Sequence, residues 1–298
     1  VQLTAAAALL VIVGLPHVAV AHDGAAIDTG GSSERMPVAV IVMVMTVLYA
    51  RGWRRRRGRW PWQRTLAAAA GAAAVAVALL SPLDTGAATS LTAHMIQHTL
   101  LILVAAPLLA LARPLAVVAA AVPHAPRLGR LLGRPRPGLA CAAHGLALWV
   151  WHLPPFYEVA LARPLVHALA HGTLLGTAAF LWWSVSRGRA RVTGALWLFV
   201  TAFHAGGLGA LLALSTRPWF RGVALDDQQL AGLVMWIPAG ALLTGIALAL
   251  LAGWLRAGSR RAIAAPSPSP ALLRRGDRGD RIADEPGGGE CGESRRIA

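Results

Sequence analysis

The sequence predicts an all-α integral membrane protein: a helical bundle of about seven transmembrane helices, N-terminus outside and C-terminus in the cytoplasm. Three observations carry that reading. The 298 residues are 56% hydrophobic and 14% charged, with a mean hydropathy of +0.56, more apolar than a soluble domain of this length. The apolar residues gather in runs suited to a hydrocarbon core about 30 Å thick, and nothing alternates with the period of a barrel strand. All 28 basic residues are arginine, set in short blocks between the apolar runs. A net charge of +15 suits nucleic acid or a membrane. This distribution selects membrane lipid and leaves no nucleic-acid face.

Residues 1–21 (VQLTAAAALLVIVGLPHVAVA) read as the apolar region of a signal peptide ending in the A-x-A-like site Ala19-Val20-Ala21, with an uncleaved eighth span as the alternative. Residues 22–34 form a short periplasmic segment. The membrane domain, 35–256, holds apolar segments at 35–50, 65–82, 90–112, 138–153, 164–186, 192–214 and 228–255. Several are short or interrupted by Gly and Pro, which membrane helices tolerate. Residues 115–122 (LAVVAAAV) are too few to span and suit an interfacial loop. The tail 257–298 is rich in Pro, Gly, Ser and charge and reads as a disordered cytoplasmic segment without assigned function.

Arginine bias sets the orientation. Segments 51–64, 113–136, 187–191 and the tail after 255 hold 24 of the arginines, leaving Arg35, Arg163, Arg217 and Arg221 for the other side. Loops 83–89, 154–163 and 215–227 are therefore outside.

Cysteine offers little. Cys141 lies in an apolar run and Cys291 in the tail, with no C-x-x-C or C-x-C motif. A metal site must then come from imidazole, carboxylate or thioether.

Seven of the ten histidines lie in spans three to six, and all seven are in the outer halves. At about 1.5 Å per residue, His98, His144, His171 and His204 lie about 11 to 15 Å deep, on four different helices. His94 and His167 are about 5 Å deep and His152 sits at the rim. The i,i+4 pairs His94/His98 and His167/His171 each share a helix face. One imidazole in a bundle is ordinarily a satisfied core residue, but seven on one side indicate a shared polar or metal site. Imidazole serves Cu, Zn, Fe and Ni alike, and thioethers at the same level favour Cu(I). Met43, Met45 and Met235 are at a comparable depth, while Met95 points to a different face from His94. Cleavage after Ala21 would also make His22 N-terminal, where its α-amine and imidazole could chelate Cu(II).

The outer acids Asp84, Glu158, Asp226 and Asp227 could draw a cation or bond a ligand histidine, or simply pair with Arg163, Arg217 and Arg221. Trp149, Trp151, Tyr157, Trp219 and Phe220 suit an interfacial aromatic belt. Gly206, Gly207 and Gly209 suit close helix approach beside His204.

The motifs HMIQHTLL…P (94–107), HGLALWVWHLPPFYEVAL (144–161), HALAHGTLL…WW (167–183), FHAGGLGALLALSTRPWF (203–220) and DQQLAGLVMWIPAG (227–240) together resemble the multi-span CtaG-type cytochrome c oxidase assembly factors over residues 35–255. The resemblance implies an accessory seven-span protein of the bacterial inner membrane, not an enzyme, that supports maturation of a haem–copper oxidase by handling copper. Its partners would be oxidase subunits or a periplasmic copper donor. On this reading the tier His98, His144, His171 and His204 holds the metal, and His94, His152 and His167 receive it or pass it on. Two alternatives stay open: an electron-transfer protein with one bis-His b-type haem, and a copper transporter. Two stacked haems need wider ligand spacing on one helix. The H-x-x-H-H box of membrane di-iron oxygenases is absent.

Overall fold

A computed structural model describes residues 30–55, 60–114, 116–117, 136–187 and 191–264. The signal-peptide and periplasmic segments up to residue 29, most of the 115–122 stretch, the tail from 265, and His17, His22, His124 and Cys291 lie outside the described residues. The chain divides into two units, Val1–Trp254 and Leu255–Ala298. In the second, the described residues are the end of the last helix, which runs on to Ala264. Ala and Arg sustain the helix past residue 256.

Among the described residues every regular element is helical. In chain order they are α1 (Gly30–Arg55), α2 (Trp62–Leu80), α3 (Pro82–Ala87), α4 (Leu91–Ala112), α5 (Pro137–His152), α6 (Pro154–Ala162), α7 (Pro164–Arg187), α8 (Arg191–Leu214) and α9 (Leu225–Ala264). Five are long and apolar enough to cross a membrane: α2, α4, α7, α8 and residues Leu225–Ser259 of α9. The protein is a helical membrane bundle. The predicted segments 35–50 and 138–153 fall on α1 and α5. Helix α5 has only 16 residues, about 24 Å of rise.

Proline sets the boundaries around the histidines. Pro137 and Pro154 occupy first-turn positions of α5 and α6, where a missing N–H costs nothing, and α7 begins at Pro164. The residues before prolines, Leu153 and Arg163, are extended, as a following proline ring requires. Leu153 therefore ends α5 at His152 and lets α6 turn back across the bundle end.

Helix α4 is not uniformly α-helical. Leu100–Ala105 forms a π-helical turn, closed by Ala106 N–H donating to the Leu101 carbonyl. Pro107 explains it. A proline cannot donate to the preceding turn and its ring crowds the carbonyl four residues back, so the helix widens. The Ile102 carbonyl, five residues before Pro107, then lacks a helical donor. The Trp182 indole N–H of α7 supplies one at 3.1 Å.

The core follows the elements around α4. Helix α7 packs on α4 and α5, α2 on α4, and α8 on α5. Leu91, Met95, Leu148, Leu174, Leu208, Leu212 and Met235 bury the His-bearing end. Outward-facing Ile41, Met43 and Val47 leave α1 an apolar lipid face. Met43 is 60% and Met45 41% exposed, so neither thioether reaches the histidines as the sequence suggested.

Helices α8 and α9 meet backbone to backbone. A Cβ on Gly232 would lie 2.5 Å from Ala213 N and 2.6 Å from the Gly209 carbonyl, and one on Gly209 would lie 2.9 Å from the Gly232 carbonyl. Gly206 packs on Trp236, whereas Gly207, also expected at the contact, has nothing within 4 Å of such an atom. Gly232→Ala should cost about 1–3 kcal/mol, because backbone cannot move aside. Thermal unfolding in detergent should show a lowered midpoint for Gly232→Ala and no loss for Gly207→Ala.

Candidate metal centre

The site begins with the start of α4. Ser90 caps it, its hydroxyl accepting from Ala93 N–H at 3.3 Å. Asp227 at the start of α9 completes the cap from another helix. Its carboxylate accepts from Leu91 N–H at 2.7 Å, Thr92 N–H at 3.1 Å and the Ser90 hydroxyl at 3.0 Å, and its carbonyl accepts from the Thr92 hydroxyl. A carboxylate at a helix N-terminus answers both the orphan donors and the helix dipole. The acid expected to draw a cation is thus committed to backbone. Glu158 pairs with Arg221 at 3.7 Å, as the plainer reading of the loop acids had it.

Held in this register, α4 buries His94, Met95, Gln97 and His98 together. Gln97 donates to the Ala78 carbonyl at 2.8 Å and to Asp84 at 3.1 Å, which ties α4 to α2 and α3. His94 and His98 face His167 and His171 of α7. Ring centroids are 4.3 Å apart for His94–His98, 5.1 Å for His98–His171, 5.9 Å for His94–His171 and 4.4 Å for His167–His171. His167 stacks on His94 at 5.4 Å, and His152 meets His98 edge-on at 5.6 Å. One nitrogen from each of His94, His98 and His171 lies within 4.8 Å of the others.

These rings are buried and short of partners. His94 Nδ1, both nitrogens of His98, and His171 Nε2 have no hydrogen-bond partner. A neutral imidazole offers one donor and one acceptor, so His98, like His204 outside the cluster, leaves both unanswered. Each such buried polar atom costs about 1–3 kcal/mol. Three inward-facing imidazole nitrogens at this spacing can share one divalent or monovalent cation of the borderline-to-soft class.

The cluster crosses the two tiers drawn from depth. His94, His98, His152, His167 and His171 come together, whereas His144 and His204 do not join their rings. Depth counts rise along an axis but says nothing of direction around it. His144 Nδ1 meets Thr177 Oγ1 at 3.2 Å, and that hydroxyl already donates to the Thr173 carbonyl, so Nδ1–H is the donor. His204 lies against α5, its Nε2 3.3 Å from where a Gly145 Cβ would be.

Tyr157 of α6 covers the cluster, edge-on to His94 at 5.5 Å and against Phe220 at 4.3 Å. Both are buried, so they lid the site and do not join an interfacial belt. Burial, and secondarily the Asp227 charge, pushes the Tyr157 phenol up to about 12, which keeps it neutral. Trp151 is turned inward too, donating to Thr173 Oγ1 at 2.8 Å. Trp219 N–H donates to Gln228 Oε1 at 2.6 Å, which fastens the 215–224 loop to α9.

A model of the cytochrome c oxidase caa3 assembly factor family matches residues 47–257. No curated protein and no solved structure matches the chain significantly. The matched span contains every histidine of the cluster and the Asp227 cap.

Asp227→Ala should cost about 2 kcal/mol, the upper range for a helix cap, since it also strips the Ser90 hydroxyl of its acceptor. The expected outcome is a lowered unfolding midpoint in detergent. Asp227→Asn should lose less, because one side-chain oxygen still accepts.

Proposed function

The chain belongs to the cytochrome c oxidase caa3 assembly factor family, and from that premise we propose that it carries copper for the oxidase it serves. The ion is its cargo, held by His94, His98 and His171. The supporting observation is the set of buried, unpartnered nitrogens on those three rings, which a cation shared among them would satisfy at once. His167 and His152 flank the triad as exchange partners. His144 and His204 stand outside the primary ligand set.

In this reading the chain is a multi-pass inner-membrane protein of seven spans, with its histidines toward the periplasm. The described arginines Arg51, Arg64, Arg113, Arg136, Arg187 and Arg191 lie at or near helix ends opposite the histidines, as a positive-inside orientation requires. A periplasmic donor would reach the triad past the Tyr157–Phe220 lid, and the oxidase would accept the ion from the same side. The role is accessory, with no turnover chemistry.

Copper on the purified protein, full length and in detergent, tests the reading. His98→Ala and His171→Ala should each lose the bound ion, while His204→Ala keeps it. Equal copper in the wild type, His98→Ala and His171→Ala overturns the triad. In a deletion strain, the triad variants should fail to restore oxidase activity that the wild-type gene restores.

A further inference from the structure

Beside the triad lies a contact that ordinary packing does not account for. His152, at the end of α5, places Nδ1 2.7 Å from the Leu148 carbonyl and Nε2 3.3 Å from Met95 Sδ. A carbonyl oxygen only accepts, so Nδ1 carries the proton. In the neutral ring Nε2 then holds a lone pair, and it is aimed at a thioether sulfur that also has only lone pairs to offer. A second proton would relieve the clash of lone pairs, but it would make a cation of a residue 1% exposed. An uncompensated buried charge is far costlier than the contact itself. Something that accepts electron pairs from both atoms resolves the conflict.

The spacing suits such an acceptor. Bond lengths of about 2.0 Å to imidazole and about 2.3 Å to sulfur, at a tetrahedral angle, place the two donors about 3.5 Å apart. The cavity beside the pair, about 40 Å³, has room for one ion, and His98, His144 and Met235 also line it. His144 is protonated on Nδ1 by the Thr177 contact, which leaves its Nε2 an acceptor as well. Met235 is buried on α9, in the same core as Met95. Sequence spacing concealed this set. Met95 follows His94 and leaves its face, but the face it joins is the one that meets α5.

We propose that Met95 Sδ and His152 Nε2 are the anchoring ligands of a second metal site, distinct from the histidine triad, that takes monovalent copper, with Met235 and His144 as its further donors. Thioethers select Cu(I) among the first-row ions that imidazole also binds. The proposal deepens the copper reading above, giving the same cargo a second position and an oxidation state. His98, which meets His152 edge-on, stands between the two sites.

Anaerobic Cu(I) titration of the full-length protein against a chromophoric chelator, repeated with Ag(I), tests the proposal together with copper X-ray absorption. The wild type should show a sulfur shell at about 2.3 Å. Met95→Leu, a swap of nearly equal volume, should bind one Cu(I) fewer and lose that shell with its unfolding midpoint kept. Cysteine is removed as a sulfur source by making the comparison in a Cys141→Ser, Cys291→Ser background. A wild-type spectrum with nitrogen neighbours alone overturns the second site and needs no variant. A sulfur shell that persists in Met95→Leu overturns it too. The paired variant His94→Ala, His171→Ala separates the two readings. It should keep one Cu(I) with its sulfur shell. If it keeps all the Cu(I) of the wild type, the triad fails and the Met95–His152 site stands.

Discussion

The Asp227 carboxylate on the first turn of α4 is the interaction on which the His-bearing end depends. One side chain accepts two backbone N–H groups and the Ser90 hydroxyl, and its own carbonyl takes Thr92. The carboxylate is only part-buried, and what makes the contact specific is that one side chain answers several orphan donors of a helix start at once. The cap therefore fixes where α4 starts against α9, and α4 delivers His94, Met95, Gln97 and His98 from its first two turns. A start displaced by one residue would turn the rings about 100° around the axis, away from α7. The position of the cluster is thus decided in the turn that precedes it, by a residue of another helix.

The next turn of α4 shows the same logic. Pro107 widens the helix into a π turn that begins two residues after His98, and the Ile102 carbonyl so released is taken by Trp182. A wide turn shifts every later residue around the helix axis. The apolar face that packs on α2 and the histidine face that meets α7 can then both be buried by one helix. The carbonyl–indole contact and the imidazole cluster lie about one turn apart along the same meeting of α4 and α7. The buried nitrogens left unpaired there are the kind of exception that calls for a physical explanation.

Much of this was legible in the sequence. Helical class, the membrane setting and the concentration of histidines at one end follow from hydropathy, arginine blocks and rise per residue. The i,i+4 pairs of α4 and α7 meet as their spacing implied. What could not be read was direction around each axis. His204 shares the depth of His98 and His171, yet lies against Gly145 of α5. Asp227 looked like a cation lure because its partner, the start of α4, is 136 residues away from it through Leu91. Tyr157 and Phe220 read as a belt because aromatic residues near a span end usually are one. Only the fold of α6 over the bundle end makes them a lid. Gly232 went unremarked because a glycine in an apolar run announces nothing until its partner, Gly209, is opposite it.

The distribution of donors bears on how an ion could move. The triad offers nitrogen alone, which suits either oxidation state of copper, while the Met95–His152 contact adds sulfur, which suits the reduced ion. On the copper reading, the two positions differ in softness and share a neighbour in His98. A carrier must hold its cargo against loss and still release it to a partner. Two adjacent positions of unequal preference meet both needs better than one tight site, because the reduced ion has somewhere to go when a competing ligand approaches the triad. Such a pair sits at one end of the bundle, under one lid, and this favours loading and release from the same side over passage through the membrane.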